Sequence, residues 1–252
     1  MNILIVNDDG IRFEGLIRLA RMALPLGKVY VLAPAGQCSA MSQKVTVSGD
    51  MILKKEDFPV EGVEAAYSLT GSPADCVKVA MNTLFPGQID IVFSGINEGF
   101  NAGFDTIYSG TVGAAMEAVV HGLPAIAYSL QSHSSYDVPE AYFAEVTQMV
   151  LKKKLEPGEL WNINFPGGLP EEIRGILFHR VPAHIEHYFD HYDQEETEEE
   201  GVWKITPRFL HPTEAEPGTD LDALYRGYIS IGKLKNMTFS PAKQTEKERA
   251  AE

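Results

Sequence analysis

The chain has 252 residues, of which 44% are hydrophobic and 22% charged, a balance typical of globular proteins. Its net charge of -14 disfavours binding to nucleic acid polymers and to anionic membranes. No apolar stretch approaches the roughly 20 residues that cross a bilayer, and the strand-like amino terminus shows no secretion signal. With only two cysteines, Cys38 and Cys76, we expect reduced thiols and a cytoplasmic protein.

Strand and helix patterns alternate through the first half of the chain. The predicted strands are Ile3–Val6, Val29–Ala33, Ile89–Phe93 and Ala125–Tyr128, with short strands and turns within residues 45–70. The predicted helices are Gly15–Leu24, one that begins after the cap residue Ser72, and one that follows Ser109. This alternation predicts an α/β fold with a mainly parallel, doubly wound sheet. Right-handed crossovers then place the polar loops that follow the strands on one edge.

The second half is less regular. Residues 140–152 have the pattern of an amphipathic helix, and Trp161–Phe165 that of a strand. Within residues 183–215, Val202–Thr206 is a candidate strand of a β-hairpin, and the acidic run Glu195–Glu200 is expected to form a solvated loop.

We expect one domain over residues 1–252, because no linker or internal repeat divides the chain. Residues 1–130 would form the core that carries the functional site. Residues 131–240 would form a smaller, irregular portion whose hairpin serves in subunit contacts. The polar residues 241–252 are expected to be a frayed tail.

Two adjacent carboxylates, Asp8 and Asp9, directly follow the first apolar run. Side by side they repel each other, and oxygen donors at a strand end suit Mg²⁺ or Mn²⁺. The loops after the strands Val29–Ala33 and Ile89–Phe93 add Ser39 and Asn97, and the four residues would form a partial shell of oxygen ligands that water completes. The alternative interpretation is that Asp8 and Asp9 serve only as a turn and a helix cap.

The segment Tyr108–Gly113 is a candidate anion site. Hydroxyls of Ser109 and Thr111 and free N–H groups at the start of a helix, such as that of Gly110, can hold a phosphate group, and Asn101 could add its amide. Taken alone, the segment is more typical of a helix start that Ser109 or Thr111 caps without any ligand. The segment matches neither the P-loop nor the dinucleotide fingerprint, so the sequence gives no support to an ATPase or an oxidoreductase.

Other polar residues carry weaker signals. His184, His187 and His191 lack the spacing of known zinc sites, so we interpret them as a solvated or interfacial cluster. Asp220 could orient groups of the site or could stabilise its own turn. Cys38 has no neighbouring base in the sequence and is not expected to be a nucleophile.

Taken together, several short motifs give the chain a specific family resemblance, to the survival protein SurE family of 5′-nucleotidases. The matching segments are Ile5–Gly10, Ala33-Pro34 with Ser39-Ala40, Gly71–Val77, Ser94–Asn97 with Gly99 and Asn101, Tyr108–Val112 with Glu117, Asn162–Asn164 with Pro166, and Pro217–Asp220 with Gly227–Ile231. They occur in the family's order and span nearly the whole chain.

The resemblance implies a Rossmann-like core and metal-dependent hydrolysis of nucleoside monophosphates. By position, Asp8, Asp9, Ser39 and Asn97 would bind one divalent ion per subunit, Mg²⁺ or Mn²⁺. Residues of the candidate anion site would hold the phosphate, namely Asn101, Ser109, Gly110 and Thr111. Asp8 or Asp9 would also act on the attacking water. A homodimer or homotetramer is implied as well.

Two other functions remain open at this stage. The same site could serve a short-chain polyphosphatase, or the chain could be a nucleotide-binding module without catalytic activity. Comparing phosphate release from mononucleotides and from polyphosphate separates these possibilities.

Overall fold

Residues 1–239 are described by the structure, a computed structural model. The predicted tail over residues 241–252 lies outside the described residues. The strands are β1 (Asn2–Val6), β2 (Lys28–Pro34), β3 (Leu53–Lys55), β4 (Val63–Leu69), β5 (Ile91–Glu98), β6 (Ala125–Leu130), β7 (Glu159–Phe165), β8 (Ile176–Arg180), β9 (Phe189–Glu196), β10 (Trp203–Leu210) and β11 (Ile229–Lys235). The α-helices are α1 (Glu14–Ala23), α2 (Pro73–Val79), α3 (Gly110–Val120), α4 (Asp137–Leu151) and α5 (Asp220–Tyr225).

One nine-stranded sheet has the order β3, β4, β2, β1, β5, β6, β7, β11, β8. The six central strands from β4 to β7 run parallel, and β3 and β11 pair antiparallel with β4 and β7. The predicted mainly parallel α/β sheet is therefore confirmed. In the described part of the chain, no helix combines the length and the apolarity that a membrane crossing requires.

Helices cover both faces of this sheet, as a doubly wound fold requires. Ile3 and Ile5 of β1 point into the apolar cluster under α1 and α4. Leu4 and Val6 point into the opposite cluster under α2 and α3. All four side chains are fully buried, which explains why β1 is a continuous hydrophobic run and not an alternating one.

Several predicted boundaries differ from the observed ones. β5 begins at Ile91 and continues to Glu98, so Ser94–Asn97, expected in a loop, belong to the strand. The pairing of β5 with β6 shifts register between Ser94 and Asn97. Because of this irregularity, the sequence pattern did not predict the second half of β5. Helix α4 begins at Asp137, three residues before the predicted start.

The predicted hairpin is present but longer than expected. β9 and β10 pair antiparallel over eight residues each and form a separate two-stranded sheet. Glu195 and Glu196 lie in β9, so the expectation of a loop was wrong for these two residues. Their ladder partners include Lys204, which forms an ion pair with Glu195.

Candidate active site

The order of the strands reverses between β1 and β5. From β1 the chain proceeds outward through β2 to β4, and from β5 it proceeds the other way to β7. In open α/β sheets, ligands bind outside the carboxyl ends of the strands at such a reversal. A cavity of ≈ 510 Å³ opens at this edge.

Five of the predicted site residues line this one cavity, although they come from distant parts of the sequence: Asp8, Ser39, Asn97, Asn101 and Ser109. Asp9, Gly110 and Thr111 lie beside Asp8. The rest of the wall is mostly aromatic and acidic, and includes Glu98, Phe100, Asp105, Tyr108, Glu186, Tyr188, Tyr192 and Phe209.

Asp8 is held by the first turn of α3. The Thr111 hydroxyl donates to Asp8 Oδ1 at 2.5 Å, and the Thr111 backbone N–H donates to Asp8 Oδ2 at 3.1 Å. Burial nevertheless dominates and raises the pKa of the Asp8 carboxyl above its usual value, while these hydrogen bonds lower it. The Asp8 carboxylate is therefore rigid but is not neutralised by them.

The charge of Asp9 is offset by fewer hydrogen bonds than the charge of Asp8. Burial, the charge of Asp8 and the charge of Glu98 raise the pKa of the Asp9 carboxyl to about 7. Its Oδ2 atom is buried and has no hydrogen-bond partner. None of the ion pairs among residues 1–239 involves Asp8 or Asp9. The two carboxylates thus present a negative site that no described side chain neutralises.

Asn7 shapes the turn that carries both carboxylates. Its side chain accepts from the Gly10 N–H and donates to the Gly10 carbonyl, both at 3.2 Å. Asn7 is fully buried. Its position between the apolar run and Asp8 was visible in the sequence, but its bonding to Gly10 was not.

Ser39 lies on an irregular loop, residues 35–52, that several buried groups fix in place. The Cys38 N–H donates to the Asp8 carbonyl at 2.6 Å, which joins the loop to β1. The Gln43 amide donates to buried Glu117 of α3 at 2.8 Å. Asp75 of α2 accepts from the Thr46 N–H and hydroxyl at 2.9 and 2.7 Å. The exposed Ser39 side chain therefore projects from an anchored loop.

Asn97 and Asn101 extend the site along the β5 end. The Asn97 amide nitrogen donates to the Gly99 carbonyl at 2.8 Å, which directs the amide and leaves its oxygen available as a ligand. The backbone of Asn101 is held by Asn164 of β7, which accepts from its N–H at 2.9 Å and donates to its carbonyl at 3.0 Å. Asn162 donates to the same carbonyl at 2.8 Å.

The α3 start differs from the expectation in one respect. The Ser109 side chain caps the helix by accepting the Val112 N–H at 3.0 Å, and it also lines the cavity. The hydroxyl of Thr111, predicted to face a phosphate, binds Asp8 instead. A Cβ atom at Gly110 would lie 2.8 Å from the Asp8 Cβ atom, so only glycine allows this close approach.

The three histidines considered above as a cluster, His184, His187 and His191, lie in different environments. His184 stacks on Phe104, His191 faces Asp193 on the hairpin, and His187 contacts the Tyr225 hydroxyl at 2.9 Å. Among the described residues, no group of three or more histidine, cysteine, aspartate or glutamate side chains could hold a metal ion.

Asp220 combines both of the roles considered for it. Its carboxylate accepts the N–H groups of Gly103 and Ala183 at 3.0 and 2.9 Å, and it also accepts the Leu221 N–H. Burial raises the pKa of this carboxyl, against the lowering effect of these bonds. Asp220 therefore fixes the backbone of the loop after Asn101 through its bond to the Gly103 N–H.

Comparison with known proteins agrees with this architecture. A sequence profile of the survival protein SurE family matches residues 3–187. A protein of Clostridium botulinum named 5′-nucleotidase SurE is 39% identical over 240 residues, 93% of this chain and 92% of that protein. A protein of the same name from Christiangramia forsetii is 35% identical over 233 residues, 91% of this chain and 88% of that protein.

A solved structure shares the fold as well. The crystal structure of the SurE protein from Aquifex aeolicus superimposes with a TM-score of 0.80 at 29% sequence identity. The match covers 100% of this chain and 99% of that one.

The Asp9 environment predicts a pH-dependent effect on stability in metal-free protein. Because the folded pKa of about 7 exceeds the ordinary 3.8, the unfolded chain loses this proton first and folding is disfavoured as pH rises. Asp9→Asn should therefore be close to wild type in stability at pH 4, and increasingly more stable than wild type up to pH 7. Chemical unfolding in chelator measures this, and a stability gap that does not widen with pH would contradict it.

The two asparagines on β7 predict effects of different size. Asn164→Ala leaves a buried N–H of Asn101 without its partner and should lower the free energy of unfolding by about 2–3 kcal/mol. Asn162→Ala removes only one of two bonds to the Asn101 carbonyl and should cost about 1 kcal/mol. Urea unfolding at one pH compares the pair, and equal losses would argue against the clamp.

Proposed function

This chain belongs to the survival protein SurE family, and from that premise we propose that it is a 5′-nucleotidase, a hydrolase that converts nucleoside 5′-monophosphates into nucleoside and inorganic phosphate. One observation carries the choice of site. Five polar residues, buried Asp8 among them, line a single cavity at the strand reversal next to half-buried Asp9, and no ion pair of the described residues supplies a counter-charge to either acid.

Metal dependence fits the residues at this site. Asp8, Asp9, Ser39 and Asn97 would hold one divalent ion per subunit, Mg²⁺ or Mn²⁺. The unpartnered Asp9 Oδ2, and an Asn97 amide turned so that its nitrogen is already bonded, support such a set of oxygen ligands. When bound, the ion supplies positive charge to the phosphoryl oxygens and lowers the pKa of adjacent water.

The phosphate would bind between Asn101 and the start of α3. Ser109 reaches the cavity with a hydroxyl that still has a proton to donate, since it accepts the Val112 N–H. Thr111 and Gly110 support this region through their contacts with Asp8. We infer that Thr111 acts mainly by orienting Asp8.

Asp8 or Asp9 would accept a proton from the attacking water, and the hydrogen bonding of the two acids differs. Both oxygens of Asp8 already accept hydrogen bonds from Thr111, whereas Asp9 has an oxygen with no partner. Water attacks phosphorus, the bond from phosphorus to the ribose 5′-oxygen breaks, and that oxygen takes up a proton as the nucleoside leaves. Alignment and charge stabilisation dominate such phosphoryl transfer.

The aromatic wall would contact the nucleoside. Phe100 and Tyr108 come from the core, and Tyr188, Tyr192 and Phe209 come from the hairpin region. Rings of this kind provide flat surfaces for a base or a ribose. No local sequence pattern pointed to this wall, because its two halves meet only in the fold.

The hairpin also supports the proposed homodimer or homotetramer. It exposes large apolar side chains to solvent in the single chain, including Trp203, Ile205 and Leu210. Exposed apolar surface of this kind is typical of subunit contacts.

Phosphate release from AMP and GMP tests the function directly. We expect turnover with Mn²⁺ or Mg²⁺, loss of turnover in EDTA, and recovery when Mn²⁺ is restored in excess. Full turnover in chelator would contradict metal dependence. AMP binding without any phosphate release, measured by calorimetry in the same buffer, would identify a nucleotide-binding module instead.

A thermal unfolding measurement tests the metal ligands independently of catalysis. Saturating Mn²⁺ should raise the unfolding temperature of the wild type by about 5 °C or more, because only the folded chain presents the site. Asp9→Asn should lose most of this rise. The exposed loop substitution Asp50→Asn, which changes charge equally, should keep it. An undiminished rise in Asp9→Asn would remove Asp9 from the ligand set.

A further inference from the structure

The turn that directly follows Ser39 has a backbone conformation that its sequence does not favour. Ala40 and Ser42 have positive φ angles of 54° and 52°, although neither residue is a glycine. Residues with a Cβ atom rarely adopt this left-handed region, and such a conformation persists only where the surrounding structure holds it. Ala40 lines the active-site cavity together with Ser39. The position of the Ser39 hydroxyl therefore depends on the contacts that hold this strained turn, residues 40–42.

Two backbone contacts hold the strained turn against the start of α3. The Ser42 N–H donates to the Tyr108 carbonyl at 2.8 Å. Gly113 of α3 lies against Ser42, and a Cβ atom at Gly113 would come within 2.1 Å of the Ser42 carbonyl oxygen. The absence of a side chain at Gly113 thus allows the turn to lie on the helix backbone.

A side-chain contact between Gln43 and Glu117 adds a link to the middle of α3. The Gln43 amide donates to Glu117 Oε2 at 2.8 Å. The other oxygen, Oε1, lies 3.3 Å from the Lys78 ammonium nitrogen of α2 and 3.3 Å from His121 Nε2. Because Glu117 is buried, its carboxylate lowers the stability of the fold unless it is paired. Glu117 therefore favours the loop position in which Gln43 reaches it.

Ser39 lies between two anchored points of its loop. On the amino-terminal side, the Cys38 N–H donates to the Asp8 carbonyl at 2.6 Å. On the other side, the Gln43–Glu117 bond follows the strained turn directly. The exposed Ser39 hydroxyl itself accepts from the Gln37 amide at 3.1 Å, a contact at the protein surface. If the Glu117 anchor is lost, relief of the strain at Ala40 and Ser42 favours movement of Ser39 away from its present position.

We propose that Glu117 is a positioning residue for Ser39. Acting through Gln43, it holds the strained turn in the conformation that keeps Ser39 at the cavity, and it thereby raises the affinity of the site for a divalent ion that it does not contact. This inference rests on the proposed function, because it takes Ser39 as a ligand of that ion. Metal affinity falls in proportion to the fraction of molecules in which the turn is displaced.

Substitutions at Gln43 test this link, with Mn²⁺ binding as the readout. Electron paramagnetic resonance of free Mn²⁺, without nucleotide and at neutral pH, gives the dissociation constant independently of turnover. Gln43→Glu places two carboxylates against each other and should raise the Mn²⁺ dissociation constant about tenfold. Gln43→Met removes the donor without adding charge and should raise it about threefold.

Exchange of the two interacting groups should restore binding. In the double variant Gln43→Glu with Glu117→Gln, the amide and the carboxylate trade positions and the hydrogen bond can form again. The Mn²⁺ dissociation constant should then return to within about threefold of the wild-type value. Gln148→Glu, the same substitution on the exposed side of α4 at the other face of the sheet, should leave Mn²⁺ binding unchanged.

Steady-state kinetics separates positioning of the metal ligand from a direct role in turnover. Because the bound ion draws the turn back into place, kcat and the KM for AMP at saturating Mn²⁺ should stay within about twofold of wild type in Gln43→Glu. The Mn²⁺ concentration that gives half of the maximal rate should rise about tenfold in the same variant. Thermal unfolding in chelator verifies that each variant is folded at the assay temperature.

The outcomes separate this inference from the proposed function. Unchanged Mn²⁺ affinity in folded Gln43→Glu and Gln43→Met would overturn the positioning role, and so would a double variant that binds Mn²⁺ no better than Gln43→Glu. A loss of kcat at saturating Mn²⁺ with unchanged Mn²⁺ affinity would overturn it as well. A wild type that binds Mn²⁺ but releases no phosphate from AMP would overturn the proposed function alone, since the binding measurements would still decide the role of Glu117.

Discussion

The repulsion between two adjacent carboxylates, buried Asp8 and half-buried Asp9, is the constraint on which the site depends. Asp8 and Asp9 follow Ile3–Val6, whose side chains are fully buried, and Asp8 itself is buried while Asp9 is half-buried. Burial and mutual repulsion raise the pKa of the Asp9 carboxyl, and no described ion pair relieves this. The hydroxyl and N–H of Thr111 donate to Asp8, and the bonds between Asn7 and Gly10 shape the turn that carries both acids, but none of these neutral groups cancels their charge. The divalent ion proposed for this site would supply the compensating charge.

Buried polar side chains on regular elements hold each loop that contributes to the cavity. Asp75 of α2 and Glu117 of α3 fix the loop that carries Ser39. Asn164 of β7 and Asp220 of α5 fix the backbone around Asn101 and Gly103. Burying a polar group lowers the stability of the fold unless the group is hydrogen-bonded. These four side chains therefore favour the observed loop positions, in which they are paired. The sheet and helices thus limit the movement of the proposed metal-binding and phosphate-binding side chains in the absence of metal and substrate.

Pattern analysis predicts the fold and the site only where the physical cause is local. The unbroken apolar run before Asp8 predicts a buried strand, and the rule for strand ends then places Asp8 and Asn97 on one edge. The Asn164–Asn101 clamp joins residues 63 positions apart, and the Thr111–Asp8 bond joins residues 103 apart. No local periodicity encodes such contacts, so the orienting role of Thr111 and the aromatic wall emerged only from the fold. The register shift in β5 likewise depends on pairing with β6, so the sequence alone did not predict the full length of the strand.

A crystal of this protein soaked in Mn²⁺ tests the central claim most directly. We predict one strong anomalous peak per subunit, at the carboxyl end of β1, within about 2.0–2.4 Å of oxygens from Asp8, Asp9, Ser39 and Asn97. Water molecules in the remaining coordination positions of the ion are consistent with that prediction. A peak bound elsewhere on the chain, or an empty strand end at saturating Mn²⁺, would contradict it.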